Sequence, residues 1–293
     1  MPNSITKFKM YVTTLLDEVY KAAAKTSVLD GAAELARQGA NVDELIIPKL
    51  SMDGLGDYSR SSGYVTGDVT LTNETVKCNF DRGRMFVVDN VDNMDTAGLA
   101  FGRLASEFLR TKVVPELDAF RFATYAGTSN ILTTTGAALS TGANAIAAVA
   151  AAFDAMTDYE VPEENRYLFI TPTILGLIRD LDTTKSKEVM NAFAQVITVP
   201  QSRFYTAIDQ YDGTSNGETG GGYIKDATNG KDINFMIVHK DAVIQYQKHV
   251  APKIVTPEQN QSADAWKYGY RNVGIADVYD NKVKGIYLHK AAS

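Results

Sequence analysis

The sequence predicts an α+β fold, and three observations predict it. Residues 69–90 (VTLTNETVKCNFDRGRMFVVDN) alternate apolar and polar positions, the two-residue period of half-buried strand. Residues 95–126 carry Phe101, Leu104, Ala105, Phe108, Leu109, Val113, Leu117 and Phe120 at helical spacing, a run longer than most globular helices. Beyond residue 142, short apolar runs such as RYLFI and INFMIV alternate with helical patterns, the texture of an α/β lobe.

Composition bounds the function. The chain has 293 residues, 45% hydrophobic and 22% charged, enough for one large domain or two modest ones. A net charge of -6 argues against a surface that reads nucleic-acid sequence. Cys78 is the only cysteine, so stabilisation comes from packing or partners. The N-terminal stretch is mixed and amphipathic rather than a signal peptide, and no run of about 18 apolar residues predicts a membrane span.

In order, residues 7–40 read as two short helical pieces, the second over 28–37 and closed by Gly39. Residues 44–50 (ELIIPKL) are strand-like, with Pro48 favouring an edge. Residues 51–68 are rich in Gly, Ser and Asp and read as an exposed loop. In the ribbon that follows, Asp81-Arg82-Gly83 reads as a turn. The long helix has Asp95 or Thr96 as N-cap and Gly127 as its end, with Pro115 expected to kink or divide it. Residues 128–141 read as loop and 142–156 as an Ala-rich helix with Ile146, Val149 and Phe153 on one face. A strand at 166–170 leads to Thr171-Pro172, an N-cap followed by proline, and a helix to Leu181. Strands are expected at 196–199 and 203–207, a glycine-dense polar loop at 209–232, and strands at 233–238, 267–279 and 285–289. Residues 239–248 read as short helix or strand, and 253–256 as extended.

Catalytic motifs do not emerge. His239, His249 and His289 lack metal-ligand spacing. Residues 213–217 match G-x-S-x-G around Ser215, but without the strand before and helix after that a nucleophile elbow requires. The acidic run at 89–93 reads as a polar connection ending in a helix cap rather than a calcium loop, and Cys78 as a small buried side chain rather than a reactive thiol. No catalytic, cofactor or metal residue is assigned. What stands out is architecture. The N-terminal arm, the ribbon and the loop before Trp266 have too little local core to stand alone, and a two- or three-stranded ribbon is marginal in water. Neighbouring copies are the economical source of the missing contacts.

That order of segments, with the C-terminal INFMIVHKDAVIQYQKHVAPKIVTP and WKYGYRNVGIADVYDNKVKGIYLHK, resembles the major capsid proteins of tailed bacteriophages, the Hong Kong 97-type fold. The resemblance implies an N-terminal arm at 1–43 and an extended β loop at 44–91 reaching over an adjacent subunit. It implies a peripheral domain from 92–141, with the spine helix, and 252–275, and an axial domain from 142–251 and 276–293. Its partners would be other copies in hexamers and pentamers, portal and scaffold proteins, and DNA packaged without sequence-specific binding. No membrane contact is implied, and the location would be the virion, assembled in the host cytoplasm. Lys77, Asp81, Arg82, Arg84, Asp212 and Glu218 are the expected inter-subunit contacts, with loop 209–232 near a five- or six-fold axis. Some members lock the shell through a Lys–Asn isopeptide bond. Lys77 would donate, but Asn272 stands several residues from where an acceptor would lie, which speaks against that chemistry. The start directly at the arm implies a separate scaffold or a mature form. Encapsulin-type nanocompartment shells share the fold and are the alternative, with a soluble α/β hydrolase acting through Ser215 behind both.

Overall fold

A five-stranded sheet in the order β5-β13-β10-β6-β7 forms the centre of one half of the protein. The structure, a computed structural model, describes residues 24–31, 37–38, 44–91, 99–136 and 139–291. The five strands are β5 (Leu132–Thr135), β6 (Arg166–Ile170), β7 (Gln195–Thr198), β10 (Ile233–His239) and β13 (Ile286–Lys290). Central β10 pairs antiparallel with β6 and β13, whereas β5 and β7 pair parallel at the two edges. The near-continuous apolar run of β10 follows from burial on both faces.

One face is covered by helices α3 (Gly142–Asp158), α4 (Pro172–Leu181) and α5 (Thr184–Asn191). Ala145, Ile146, Val149, Ala152 and Met156 of α3 pack there with Ile174 and Ile178 of α4. The other face receives the end of the long helix through Phe122 and Tyr125. Phe122 lies edge-on to Phe169 at 5.2 Å and to Phe204 at 4.8 Å. Buried Arg166, at the start of β6, donates to the carbonyls of Pro162, Phe153 and Val161 and to Thr157 Oγ1. Its charge thereby lies beside the C-terminal half of α3 and the loop that follows, where a cation is favoured.

The long helix comprises α1 (Leu99–Phe108) and α2 (Val114–Gly127), joined through a π turn at Leu109–Val113. Pro115 was expected to kink or divide this helix. The π turn just before the proline divides it into α1 and α2, with helical dihedrals kept at Phe108, Val113 and Val114. A widened turn accommodates the missing N–H and the ring that would clash with the preceding turn. Gly127 ends the helix as expected; Asp95, Thr96 and the side chain of Phe101 lie outside the described residues.

A second sheet runs β11 (Val243–Val255), β12 (Ala265–Val278) and β4 (Phe80–Asp89), all antiparallel. Its inner face meets the helix through Tyr268 and Tyr270 on Ala105, Leu109 and Val113. Phe108 sits 4.8 Å from Phe86 and 6.2 Å from Tyr270, both edge-on. Burial pushes the Tyr268 hydroxyl up to about 12. The ribbon expected to lie wholly on another copy is therefore divided. β4 belongs to its own chain's sheet, because Phe80, Phe86 and Val88 pack under the helix. Its strand continues through the expected turn at Asp81-Arg82-Gly83, and the break between β3 and β4 falls at residues 78–79 instead. Gly83 fits there because a Cβ would meet the Tyr270 carbonyl at 2.8 Å.

The other strands of the ribbon form a separate sheet. β2 (Glu44–Met52) pairs with β3 (Val69–Lys77) over nine residues, and two-residue β1 (Arg37–Gln38) joins only at Leu45 and Ile46. Pro48 sits where no third strand is paired among the described residues, as its missing N–H requires.

Several local expectations need correction. The helix expected at 28–37 is a 3₁₀ turn at Lys25–Leu29, with Arg37 in a strand; residues 32–36 and the first expected helix lie outside the described residues. Residues 128–141 contain β5, whose β-branched threonines suit an edge strand. The unanticipated α5 begins with a reciprocal Thr183–Ser186 capping box. The strand expected at 203–207 is a 3₁₀ turn at Gln201–Arg203 followed by a bridge at Tyr205. The polar loop 209–232 holds a small hairpin, β8 (Ile208–Gln210) with β9 (Tyr223–Lys225).

A buried polar clamp ties these parts together. Asp118 of α2 is fully buried and accepts from the Lys25 and Thr26 backbone amides, the Thr26 hydroxyl at 2.7 Å and Arg203 at 3.3 Å. One turn on, Arg121 donates to Thr26 Oγ1 and pairs with Asp30. Gln245 of β11 donates to the Thr26 carbonyl and accepts from Tyr125. Removing one partner leaves buried charges and amides uncompensated, so Asp118→Ala is expected to cost about 3–5 kcal/mol in urea unfolding. A loss below about 1 kcal/mol would show that the clamp is not buried as described.

Stability should also fall in mild acid. His239 and His289 are buried, and burial lowers both below the usual histidine range. The unfolded chain then binds protons first, so stability from these groups is complete above about pH 6.5 and declines as pH drops below it. The urea midpoint should decrease between about pH 6.5 and 5.5, and less so in a His239→Asn/His289→Asn variant. An identical slope in that variant would remove the histidines as the cause.

Candidate assembly surfaces

Two surfaces stand out, and the division of the ribbon creates both. The first is the β2–β3 hairpin with its tip, residues 53–68. Leu50, Met52, Leu55, Tyr58, Tyr64, Val65, Val69 and Leu71 are each more than half exposed. Two strands alone cannot bury such a face, and a contiguous exposed apolar surface marks an interaction site. Lys77, at the end of β3, is exposed and paired in register with Glu44.

The second surface is a groove of about 1100 Å³ between β4, the long helix and the glycine-rich loop. Its wall is built by alternation along β4, which sends Arg82, Arg84 and Phe86 to one side. Arg82 Nε bonds Glu116 Oε1 of α2 at 2.7 Å, and its Nη2 donates to the carbonyls of Tyr211 and Gly222. Arg84 Nη2 donates to the Thr219 carbonyl at 3.0 Å. The loop comes this close because Gly213 and Gly221 hold φ values of 79° and 61°, left-handed backbone that glycine adopts without strain. A Cβ on Gly221 would lie 2.8 Å from Arg84 Nη1.

Asp212 and Glu218 are part of the same loop. Asp212 accepts from the Ser215 hydroxyl and from the Ser215 and Thr214 amides, which hold its carboxyl well below the ordinary aspartate range. Glu218 accepts from the Asp212 amide. The glycine-dense loop thus has internal anchors, and Ser215 serves as one. Its surroundings are loop on both sides, without the strand and helix of a nucleophile elbow.

Four of the six singled-out residues, Arg82, Arg84, Asp212 and Glu218, therefore converge on the groove and its loop. Asp81 points elsewhere, to a two-pronged exposed pair with Arg271 at 2.6 and 2.9 Å, which holds its carboxyl below the usual range. Such exposed pairs contribute about 0–1 kcal/mol. Asn272 is buried opposite Arg82 in the ladder, with neither amide atom hydrogen-bonded among the described residues. Glu116, Tyr211 and Tyr223 were not singled out in the sequence, and Asn272 was named only as a displaced isopeptide acceptor. Only fold-level pairing of β4 with β12 and α2 brings them to the groove.

In the 89–93 run, Asp89 accepts from the Val91 amide and Asn90 Oδ1 accepts from Trp266, a turn and a tether. Residues 92 and 93 lie outside the described residues. Among the described residues no group of His, Cys, Asp and Glu is arranged to hold a metal, and no helix is long and apolar enough to cross a membrane. Cys78 is half-buried between β3 and β4 against Val76, Ile244 and Ile275.

No family model matches the sequence, and no curated protein does. Solved structures do match over nearly the whole chain. A structure from Mycobacterium phage Bobi aligns over 92% of this chain and 91% of its own, at 10% identity and a TM-score of 0.59. The capsid of the cyanophage P-SCSP1u aligns over 88% and 86%, at 12% identity and 0.56. A virus-like particle from Pyrococcus furiosus aligns over 95% and 97%, at 8% identity and 0.56. At such identities the likeness speaks for architecture alone. The chain has the Hong Kong 97-type fold of phage capsid structures.

Proposed function

We infer that the protein is the coat subunit of a tailed-phage capsid, assembling with copies of itself as hexamers and pentamers of an icosahedral shell. The observation that carries this reading is the β2–β3 hairpin, a nine-residue ladder whose apolar face is left open by its own chain, on a fold shared with capsids. A surface of that kind is stable in water when another copy covers it. The role is structural, without a catalytic, cofactor or metal residue. Packaged DNA, portal and scaffold proteins are its further partners, and the virion its location after assembly in the host cytoplasm. A net charge of -6 suits a wall that encloses DNA without reading its sequence. Neighbours named as capsids favour a phage coat over an encapsulin-type shell.

In this reading the extended loop is residues 44–77, and β4 belongs with the spine helix and β12 to the peripheral part. Residues 139–251 and 276–291 form the axial part. Residues 24–31 are the end of the N-terminal arm, held by the Asp118 clamp.

Electron microscopy of the purified protein tests the reading: closed particles of defined size are expected, and monomers under all assembly conditions would contradict it. Replacing residues 53–68 by a two-residue Asn-Gly turn should leave the unfolding free energy within about 0.5 kcal/mol of the wild type, as for surface changes. The same variant should form no closed particles. Loss of cooperative unfolding instead would place the tip in its own chain's core.

A further inference from the structure

The groove between β4, the long helix and the glycine-rich loop carries groups that the fold itself does not use. Three of its cations are committed within the chain: Arg82 to Glu116 at 2.7 Å, Arg203 to Asp118 at 3.3 Å and Lys225 to Asp232 at 2.7 Å. Arg84 and Lys112 are exposed and join no ion pair among the described residues. Lys112 stands in the π turn at Leu109–Val113, an irregularity frequent at functional sites.

The walls are half-buried aromatic rings. Phe86 and Phe108 meet edge-on at 4.8 Å, and Tyr211 and Tyr223 stand at either end of the glycine-rich stretch that faces them across the groove. The Tyr223 hydroxyl donates to the Ser202 carbonyl at 2.7 Å, which fixes that ring in place. The floor holds an amide without a partner. Asn272 lines the groove at 1% exposure, and neither its oxygen nor its nitrogen is hydrogen-bonded among the described residues. A buried amide in that state costs stability, so its place here calls for a partner from outside the chain. Its donor and acceptor lie side by side in one plane, the pattern that a nucleobase edge complements. At about 1100 Å³ the groove stands at the upper end of small-molecule sites, roughly 300–1,000 Å³, with room for a ring system and a charged tail.

We propose that this groove binds a nucleotide. The base edge hydrogen-bonds Asn272 while its faces meet the aromatic rings, and the phosphates lie against Arg84 and Lys112. Aromatic rings stack on any base, a guanidinium holds phosphate oxygens through paired N–H groups, and an ammonium adds a point charge. The carboxylates of the groove are already engaged: Glu107 pairs with Arg110, Glu116 with Arg82, and Asp212 accepts from the Thr214 and Ser215 amides. An occupied groove ties the glycine-rich loop to β4 and the long helix at once. This goes beyond the coat reading, which stands with or without the ligand.

Calorimetric titration of the free subunit with ATP, a representative nucleotide, tests the site. One ATP per chain is expected. Adenosine and inorganic triphosphate should each bind at least tenfold more weakly, because each lacks one half of what the groove recognises. Arg84→Gln/Lys112→Gln should weaken ATP at least tenfold and leave adenosine unchanged. Asn272→Leu should weaken both at least tenfold while the thermal midpoint holds or rises, since an unsatisfied buried amide gives way to an apolar group of similar shape. Single-stranded oligo(dA) separates the two sources of the ligand: displacement of ATP at a lower concentration than adenosine requires assigns the nucleotide to a strand, and failure to displace it assigns a free nucleotide. Triphosphate as tight as ATP, ATP affinity unmoved by both variants, or no saturable binding at millimolar ATP overturns the site. Closed particles in electron microscopy are expected in every one of these cases, so loss of the site leaves the coat reading standing.

Discussion

The ten-residue ladder between β4 and β12 is the interaction on which the rest of the structure depends. It binds the ribbon's second half to the long sheet, so that Phe86 and Tyr270 form the bed for Phe108 of the long helix. The same strand, by alternation, delivers Arg82 and Arg84 to the glycine-rich loop. What it does not bind is equally consequential. With β4 taken into the subunit, β2 and β3 have each other, a two-residue strand, the packing of Val76 on Ile244 and Ile275 at one end, and otherwise water among the described residues. A hairpin so placed is marginal by itself and finds its stability in association. A stable subunit and an adhesive one are two results of one strand pairing.

The Asp118 clamp works on the same scale from the opposite end. A buried carboxylate is costly unless surrounded by donors. Here the donors come from Lys25 and Thr26 in the segment preceding the hairpin and from Arg203 after β7, while Arg121 of the same helix donates to Thr26. Polar groups inside the protein thus fix how the helix crosses its neighbours, while apolar groups on the hairpin are left outside.

Long periodic elements were legible in the sequence and short ones were not. The helix around Phe108 and Leu117, the strands RYLFI and INFMIV, and the Thr171-Pro172 helix start all declared themselves through period or capping chemistry. β5 did not, because LTTT is polar and earns its place only as a parallel edge beside β13. The turn read at Asp81-Arg82-Gly83 failed for a tertiary reason: Gly83 serves close approach to Tyr270, not reversal. Of the candidate contacts, Arg82 and Arg84 stood out as charges within the ribbon. Their partners were hidden, since a backbone carbonyl such as that of Gly222 leaves no mark in sequence. Glu116 lies 34 residues from Arg82 and is joined to it only by the fold.

Amide hydrogen exchange compared between free subunits and assembled particles tests the central claim most directly. Local opening follows the support that a segment receives, so the two halves of the ribbon should separate. Amides of Phe80–Asp89 should be protected in both states, and those of Val69–Lys77 should become protected only on assembly. Equal protection of Val69–Lys77 in the free subunit would contradict the claim, because the hairpin would then be supported by its own chain.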